Sequence, residues 1–168
     1  KEALAAVGST GSLVNLFLNV FLGLSMGSGV MVARHIGARD EKRVRECVHT
    51  AMLLSVICGF AVGLLGFFAS SQMLRLMNAP EDVIDLASLY LKIYFLGSPG
   101  LLAYNFGASI VRATGDTKRP LYILTFAGLV NVILNLILII VFKMGVSGVA
   151  VATIVSQYIS AFLIILYL

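Results

Sequence analysis

Residues 121–142 read LYILTFAGLVNVILNLILIIVF, and this run decides the fold. It carries no charge, and a helix needs roughly 20 apolar residues to cross the hydrocarbon core of a bilayer. A barrel strand is about ten residues long and alternates strictly between apolar and polar positions; this run does neither. A helix satisfies its own backbone hydrogen bonds, which lipid cannot do. Two amides, Asn131 and Asn135, interrupt the run one helical turn apart and therefore share a face.

Runs of the same kind recur on both sides. Together they predict an all-α, polytopic transmembrane bundle over residues 1–168, with spans at about 9–33, 47–74, 86–111, 121–142 and 146–168. The chain is 60% hydrophobic and 12% charged, with a mean hydropathy of +1.01, which leaves too little polar surface for a soluble domain. The net charge of +4 and pI near 9.3 raise nucleic acid as a partner. The distribution argues against it, because eight of the twelve Lys/Arg lie in 34–46 and 112–120, between apolar runs. Placed there, they read as topology determinants. The stretch around Glu81, Asp82 and Asp85 is acidic instead. The positive-inside rule then puts both basic loops in the cytoplasm, so the chain starts outside and ends inside. It begins at Lys1 and stops within an apolar run, and we read it as an excerpt of a longer protein without a signal peptide.

Local chemistry marks the breaks. Gly37 offers a helix stop and Asp40 a cap for the next helix, where Glu41 and Arg45 have i,i+4 spacing. Gly115 offers a second stop, Asp116 or Thr117 a cap, and Pro120 falls in the first turn, where its missing N–H costs little. Asn78-Ala79-Pro80 breaks the chain on the acidic side, and Gly145-Val146-Ser147-Gly148 is expected to form the last external turn. A kink is expected at Gly97-Ser98-Pro99-Gly100, and Lys92 is placed to snorkel outward.

The spans carry polar residues at helical spacing: Ser12, Asn15, Asn19 and Gly23 in the first; Ser98, Asn105 and Ser109 in the third; Gly128, Asn131 and Asn135 in the fourth; Thr153, Gln157 and Ser160 in the fifth. Interhelical hydrogen bonding, worth roughly 0.6–2 kcal/mol per bond, accounts for any one of them. Four such stripes together point to a shared, mildly polar cavity. Gly23-x-x-x-Gly27 and Gly59-x-x-x-Gly63 read as close-packing seams. No carboxylate or Arg lies deep in a span, so a complete proton relay is not expected within this chain. His35 and His49 sit at span ends without metal-ligand company, Cys47 and Cys58 read as small buried hydrophobes, and no catalytic constellation is present. The chain does not read as an enzyme.

Several stretches resemble one family. Ala3-Leu4-Ala5-Ala6-Val7-Gly8, Gly23-Leu24-Ser25-Met26-Gly27 leading to Ala33-Arg34-His35-Ile36-Gly37-Ala38, Arg112 to Pro120, and Gly145 to Thr153 closely resemble the multidrug and toxic compound extrusion (MATE) family, in order and along essentially the whole chain. The resemblance implies twelve helices in two six-helix lobes that alternate access. It implies export of amphipathic, often cationic, organic compounds against Na⁺ or H⁺, in a prokaryotic cytoplasmic membrane. The present spans would be helices two to six of the first lobe, which would lack its first helix here. Their partners would be substrate, membrane lipid and the remainder of the same chain; no cofactor is implied, and no metal beyond Na⁺. By motif position, Asn131 and Thr153 match a helix-five Asn and helix-six Thr of the family's ion site, while Asn135 stands where an Asp often lies. An amide offers a carbonyl oxygen to Na⁺ but releases no proton at neutral pH. Asn15, Asn19, Met26, Tyr104, Asn105, Gln157 and Tyr158 are the candidates for the substrate cavity, flexible Met and aromatic surfaces suiting varied ligands. The alternatives are a flippase for lipid-linked precursors, whose cavity would be expected to hold basic residues, and a non-transporting membrane scaffold, which would not explain the polar stripes.

Overall fold

The structure, a computed structural model, describes the backbone of residues 2–76 and 81–168, with side chains at 15, 16, 19–72, 74, 75 and 84–168. Ser12, the break at Asn78-Ala79-Pro80, and the side chains of Glu81 and Asp82 lie outside the described residues. The described chain is helical throughout: α1 (Glu2–Gly37), α2 (Glu41–Leu76), α3 (Glu81–Leu96), α4 (Ser98–Ala113), α5 (Lys118–Leu136) running into a π-helical turn (Ile137–Val141), and α6 (Gly145–Tyr167). Among the described residues, Asn19–Gly37, Glu41–Gln72, Lys118–Val141 and Gly145–Tyr167 are each long and apolar enough to cross a bilayer. Ile84–Leu96 and Ser98–Ala113, bent by 47°, make one more if taken as a single broken span.

The break follows from Pro99. Its missing N–H leaves the Phe95 carbonyl without its helical donor, and the Ser98 hydroxyl supplies one at 2.6 Å. The Tyr158 hydroxyl reaches across from α6 to donate to the Leu96 carbonyl at 2.9 Å. A bend inside a bilayer is tolerated because neighbouring side chains satisfy the backbone groups it frees.

Helix α4 forms the centre, packed against α1, α2 and α6, and α5 lies outside, mainly against α6. Val32, Ala51, Phe106 and Ile110 join α1, α2 and α4; Ala103, Tyr104, Ala108, Val111, Ala161 and Ile164 join α4 to α6. Leu74, Ala87, Leu91 and Phe95 close α2 on α3. Small residues set the closest approaches. A Cβ on Gly59 would lie 2.5 Å from the Pro99 Cα, and one on Gly63 would lie 3.0 Å from the Phe95 carbonyl oxygen. This is the expected α2 seam. The expected seam at Gly23 and Gly27 meets none of the described residues, a Cβ on either having nothing within 4 Å. The close approach on α1 is at Gly29, where a Cβ would collide with Ser109 of α4.

Two turns differ from expectation in detail. Helix α1 ends at Gly37, but the left-handed residue is Arg39 (φ 55°). The Asp40 N–H returns to the His35 carbonyl and the Arg39 N–H to that of Ile36, a Schellman closure. Asp40 then caps α2 through the Arg43 N–H at 3.1 Å and pairs with the Arg43 guanidinium, leaving Glu41 and Arg45 without the ion pair their spacing offered. At the other end Gly145–Gly148 is the first turn of α6 rather than the connection. Lys143 (φ 52°) and Gly145 (φ 59°) reverse the chain, and Gly148 lets α6 approach the π turn, where a Cβ would lie 3.2 Å from that of Leu138.

The α4–α5 loop is tied most firmly by Asp116, after Gly115 (φ 92°). Its carboxylate accepts from the backbone N–H groups of Arg119 and Lys118, each at 3.1 Å, and from the Tyr167 hydroxyl at 3.3 Å. The Arg119 guanidinium lies 4.3 Å from the Tyr167 ring centroid. The backbone N–H of Arg119 above all, then those of Lys118 and the Tyr167 hydroxyl, hold the Asp116 carboxyl below its ordinary 3.8. A lowered carboxyl pKa stabilises the fold above the unfolded value, and that stabilisation is lost as pH falls through the folded value. Asp116→Asn should therefore lower the thermal unfolding midpoint at neutral pH, and the difference from wild type should vanish once the pH drops well below 3.8.

Candidate functional site

Helix α5 carries its amides toward α6. The four-residue step from Asn131 to Asn135 stacks them on one face, and the Asn135 Nδ2 donates to the Asn131 Oδ1 at 3.1 Å. The Asn131 Nδ2 in turn donates to the Ser156 Oγ on α6 at 3.3 Å. Ser156 is buried and spends its own proton on the Thr153 carbonyl at 2.8 Å, so its oxygen is free to accept. Thr153, one turn earlier, donates to the Val149 carbonyl at 2.9 Å, which leaves the lone pairs of its hydroxyl available. The chain of bonds ends at the Asn135 Oδ1, a buried carbonyl oxygen that accepts no hydrogen bond. The π-helical turn begins two residues later, and such turns inside α-helices occur frequently at functional sites.

Asn131 and Asn135 are thus joined, and they reach α6 through Ser156. Thr153 lies on the same helix but forms no side-chain bond to either amide. Ser156 was missed in the sequence because the polar stripe there ran through Thr153, Gln157 and Ser160. Its position three residues beyond Thr153 was the available signal.

The remaining candidates are dispersed. Asn15 and Asn19 lie exposed on α1, the Asn19 amide donating to the Asn15 carbonyl at 2.8 Å, and Met26 is 60% exposed on the same helix. Asn105, half-buried on α4, donates to the Leu101 carbonyl at 2.8 Å. Gln157 is half-buried, with its Oε1 against Gly97 at the α3–α4 break and accepting no hydrogen bond. The two aromatic candidates differ in setting. Tyr104 is 6% exposed in the α4–α6 core, its hydroxyl donating to the Pro120 carbonyl at 2.9 Å. Tyr158 lines an apolar groove against α2 and the break.

Among the described residues, no group of three His, Cys, Asp or Glu side chains is arranged to hold a metal ion. Cys47 and Cys58 are free thiols, half-buried. A second hollow, of about 560 Å³, lies at the α1–α2 turn between His35, Arg39, Asp40, Glu41 and Arg45, where charges of both signs face solvent.

The chain is similar to known proteins along nearly its whole length. Over 156 residues the chain is 37% identical to the probable multidrug resistance protein YpnP of Bacillus subtilis, covering 93% of this chain and 35% of that protein. It is 29% identical to a FAD transporter of Shewanella oneidensis, covering 92% of this chain and 35% of the relative. A crystal structure of MATE in the bent conformation superposes with a TM-score of 0.95 at 28% identity, over 100% of this chain and 38% of the other. The chain therefore spans little more than a third of the length of the proteins it matches. With the MatE family model matching residues 1–137, the chain belongs to the MatE family.

Proposed function

We propose that this chain is part of a secondary active transporter that exports organic, often cationic, compounds by antiport with Na⁺ or H⁺, and that its α5–α6 amide cluster seats Na⁺. One observation carries the ion assignment: the buried Asn135 Oδ1 has no donor. A buried acceptor left unsatisfied costs roughly 1–3 kcal/mol, and a cation coordinated there offsets that cost. The Asn131 oxygen lies one turn earlier on α5 and the Ser156 oxygen meets that amide from α6, with the Thr153 hydroxyl one turn away on α6. All are neutral, so the cluster takes a cation without exchanging a proton near neutral pH. Proton coupling, if used, draws on an acid elsewhere in the complete protein.

The substrate reading rests on the exposed polar stripe of α1 (Asn15, Asn19, Met26) and on Asn105 and Gln157, which offer amides and a flexible thioether to an amphipathic molecule. Relatives bear names for different cargoes, as expected where the fold is shared and side chains choose the ligand. The basic connections at 34–46 and 112–120 support an orientation starting outside and ending in the cytoplasm. The remaining partners are bilayer lipid and the rest of a longer chain.

Uptake of a fluorescent cationic dye into inverted vesicles containing the complete protein tests the reading. Accumulation that rises with an imposed Na⁺ gradient and persists when the pH gradient is collapsed is expected. Accumulation that follows only the pH gradient moves the coupling to an acid outside this cluster, and no accumulation under either gradient removes the export function.

A further inference from the structure

An apolar groove of about 550 Å³ runs between α2 and α6 across the α3–α4 break, lined by Phe60, Leu64, Phe67 and Phe68 of α2, Pro99 at the break, and Tyr158 of α6. Leu64 is 59% and Phe68 77% exposed, so no described element of this chain covers them. The hydroxyl of Tyr158 is already committed to the Leu96 carbonyl, which leaves the groove almost without hydrogen-bonding capacity. A smaller hollow of about 380 Å³, between α5 and α6 and including Phe126 and Phe162, shares Ile154 and Tyr158 with it. Together the two hollows lay apolar surface along both sides of α6, which suits a hydrocarbon chain.

A cation lies beside the groove, one helical turn before the lining residues Phe95 and Leu96 of α3. Lys92 of α3 is half-buried, its Nζ 6.0 Å from the centroid of Phe67, a lining residue. The ion pairs formed among the described residues are Arg43–Asp40 and Arg119–Asp116, so Lys92 has no carboxylate partner there. An ammonium at membrane depth is costly unless it reaches an anion or the interface, and a ring face at that distance is a weak substitute. We infer that this groove binds an anionic phospholipid, with an acyl chain between α2 and α6 and the phosphate on Lys92. An amphipathic cation is disfavoured by the same lysine.

The test uses the complete protein with Phe68→Trp as a reporter in the groove; the present chain has no tryptophan. Its fluorescence, as a difference from the parent protein, is quenched by lipids with brominated acyl chains. Brominated phosphatidylglycerol should reach half-maximal quenching at about fivefold lower mole fraction than brominated phosphatidylcholine, the ratio expected for one lysine on an anionic lipid. Lys92→Gln should bring the two lipids level, and Lys92→Arg should restore the ratio, which separates charge from damage to the fold. Equal quenching in the parent reporter, or a ratio that survives Lys92→Gln, overturns the proposal. Absence of quenching by either lipid also overturns it, since the groove is then covered by the rest of the protein.

Discussion

In the complete protein, Asn131→Ala is expected to cut substrate-driven cation exchange by roughly tenfold or more while leaving membrane insertion and expression normal. Asn131 is the centre of the cluster: its oxygen takes the Asn135 amide and its nitrogen reaches Ser156. Truncation removes one oxygen ligand and leaves the other amide without its anchor. Losing even a group that only orients a metal ligand costs on the order of 10–100-fold in metal affinity. Asn131 and its neighbours are only half-buried on a helix whose buried residues are Pro120 and Ala127, so the fold itself loses little. Ser156→Ala should weaken exchange less, since it removes the acceptor that orients the Asn131 amide. Asn135→Asp should keep exchange but make it fall as the pH drops, because a titrating carboxylate replaces a neutral carbonyl. Drug-dependent release of internal radioactive sodium from proteoliposomes checks all three. Unchanged exchange in Asn131→Ala takes the residue out of the site.

The second large effect is structural. Gly59→Ala should destabilise the complete protein by about 2 kcal/mol, within the range typical of overpacked cores. The added methyl would sit 2.5 Å from the Pro99 Cα, a backbone atom that cannot swing aside, and the strain falls where the Ser98 hydroxyl bonds the Gly59 carbonyl at 2.9 Å. Gly27→Ala should be neutral or slightly stabilising, since it meets open space and alanine is the better helix former. Thermal unfolding in detergent, followed by loss of monodisperse protein, gives the comparison. Equal stability of the two variants would mean that α2 and α4 do not meet at Gly59.

These contrasts mark what could be read from the chain. Long uncharged runs announce helices because a bilayer leaves no other way to satisfy the backbone, and Pro99 announces the bend because its nitrogen cannot donate. The pairing of Asn131 with Asn135 was legible because both lie on one helix, where periodicity alone fixes the neighbour. Contacts between helices were less so. Gly23 and Gly59 begin identical motifs, yet among the described residues only Gly59 meets another helix, since a motif does not say which face is covered. Ser156 rather than Thr153 meets Asn131 because the rotation and crossing of α6 against α5 decide it. The bond from the Tyr104 hydroxyl to the Pro120 carbonyl joins α4 to α5, a contact that no periodicity announces. Left-handed Arg39, two residues past Gly37, likewise reflects where α1 must stop for Asp40 to cap α2.

The α5–α6 amide cluster as the seat of Na⁺ is the central claim, and equilibrium binding of radioactive sodium to the purified complete protein tests it most directly. Saturable binding that is displaced by an organic cation substrate, insensitive to pH around neutrality, and lost in both Asn131→Ala and Asn135→Ala is the predicted result. Sodium binding that survives in both variants would contradict it.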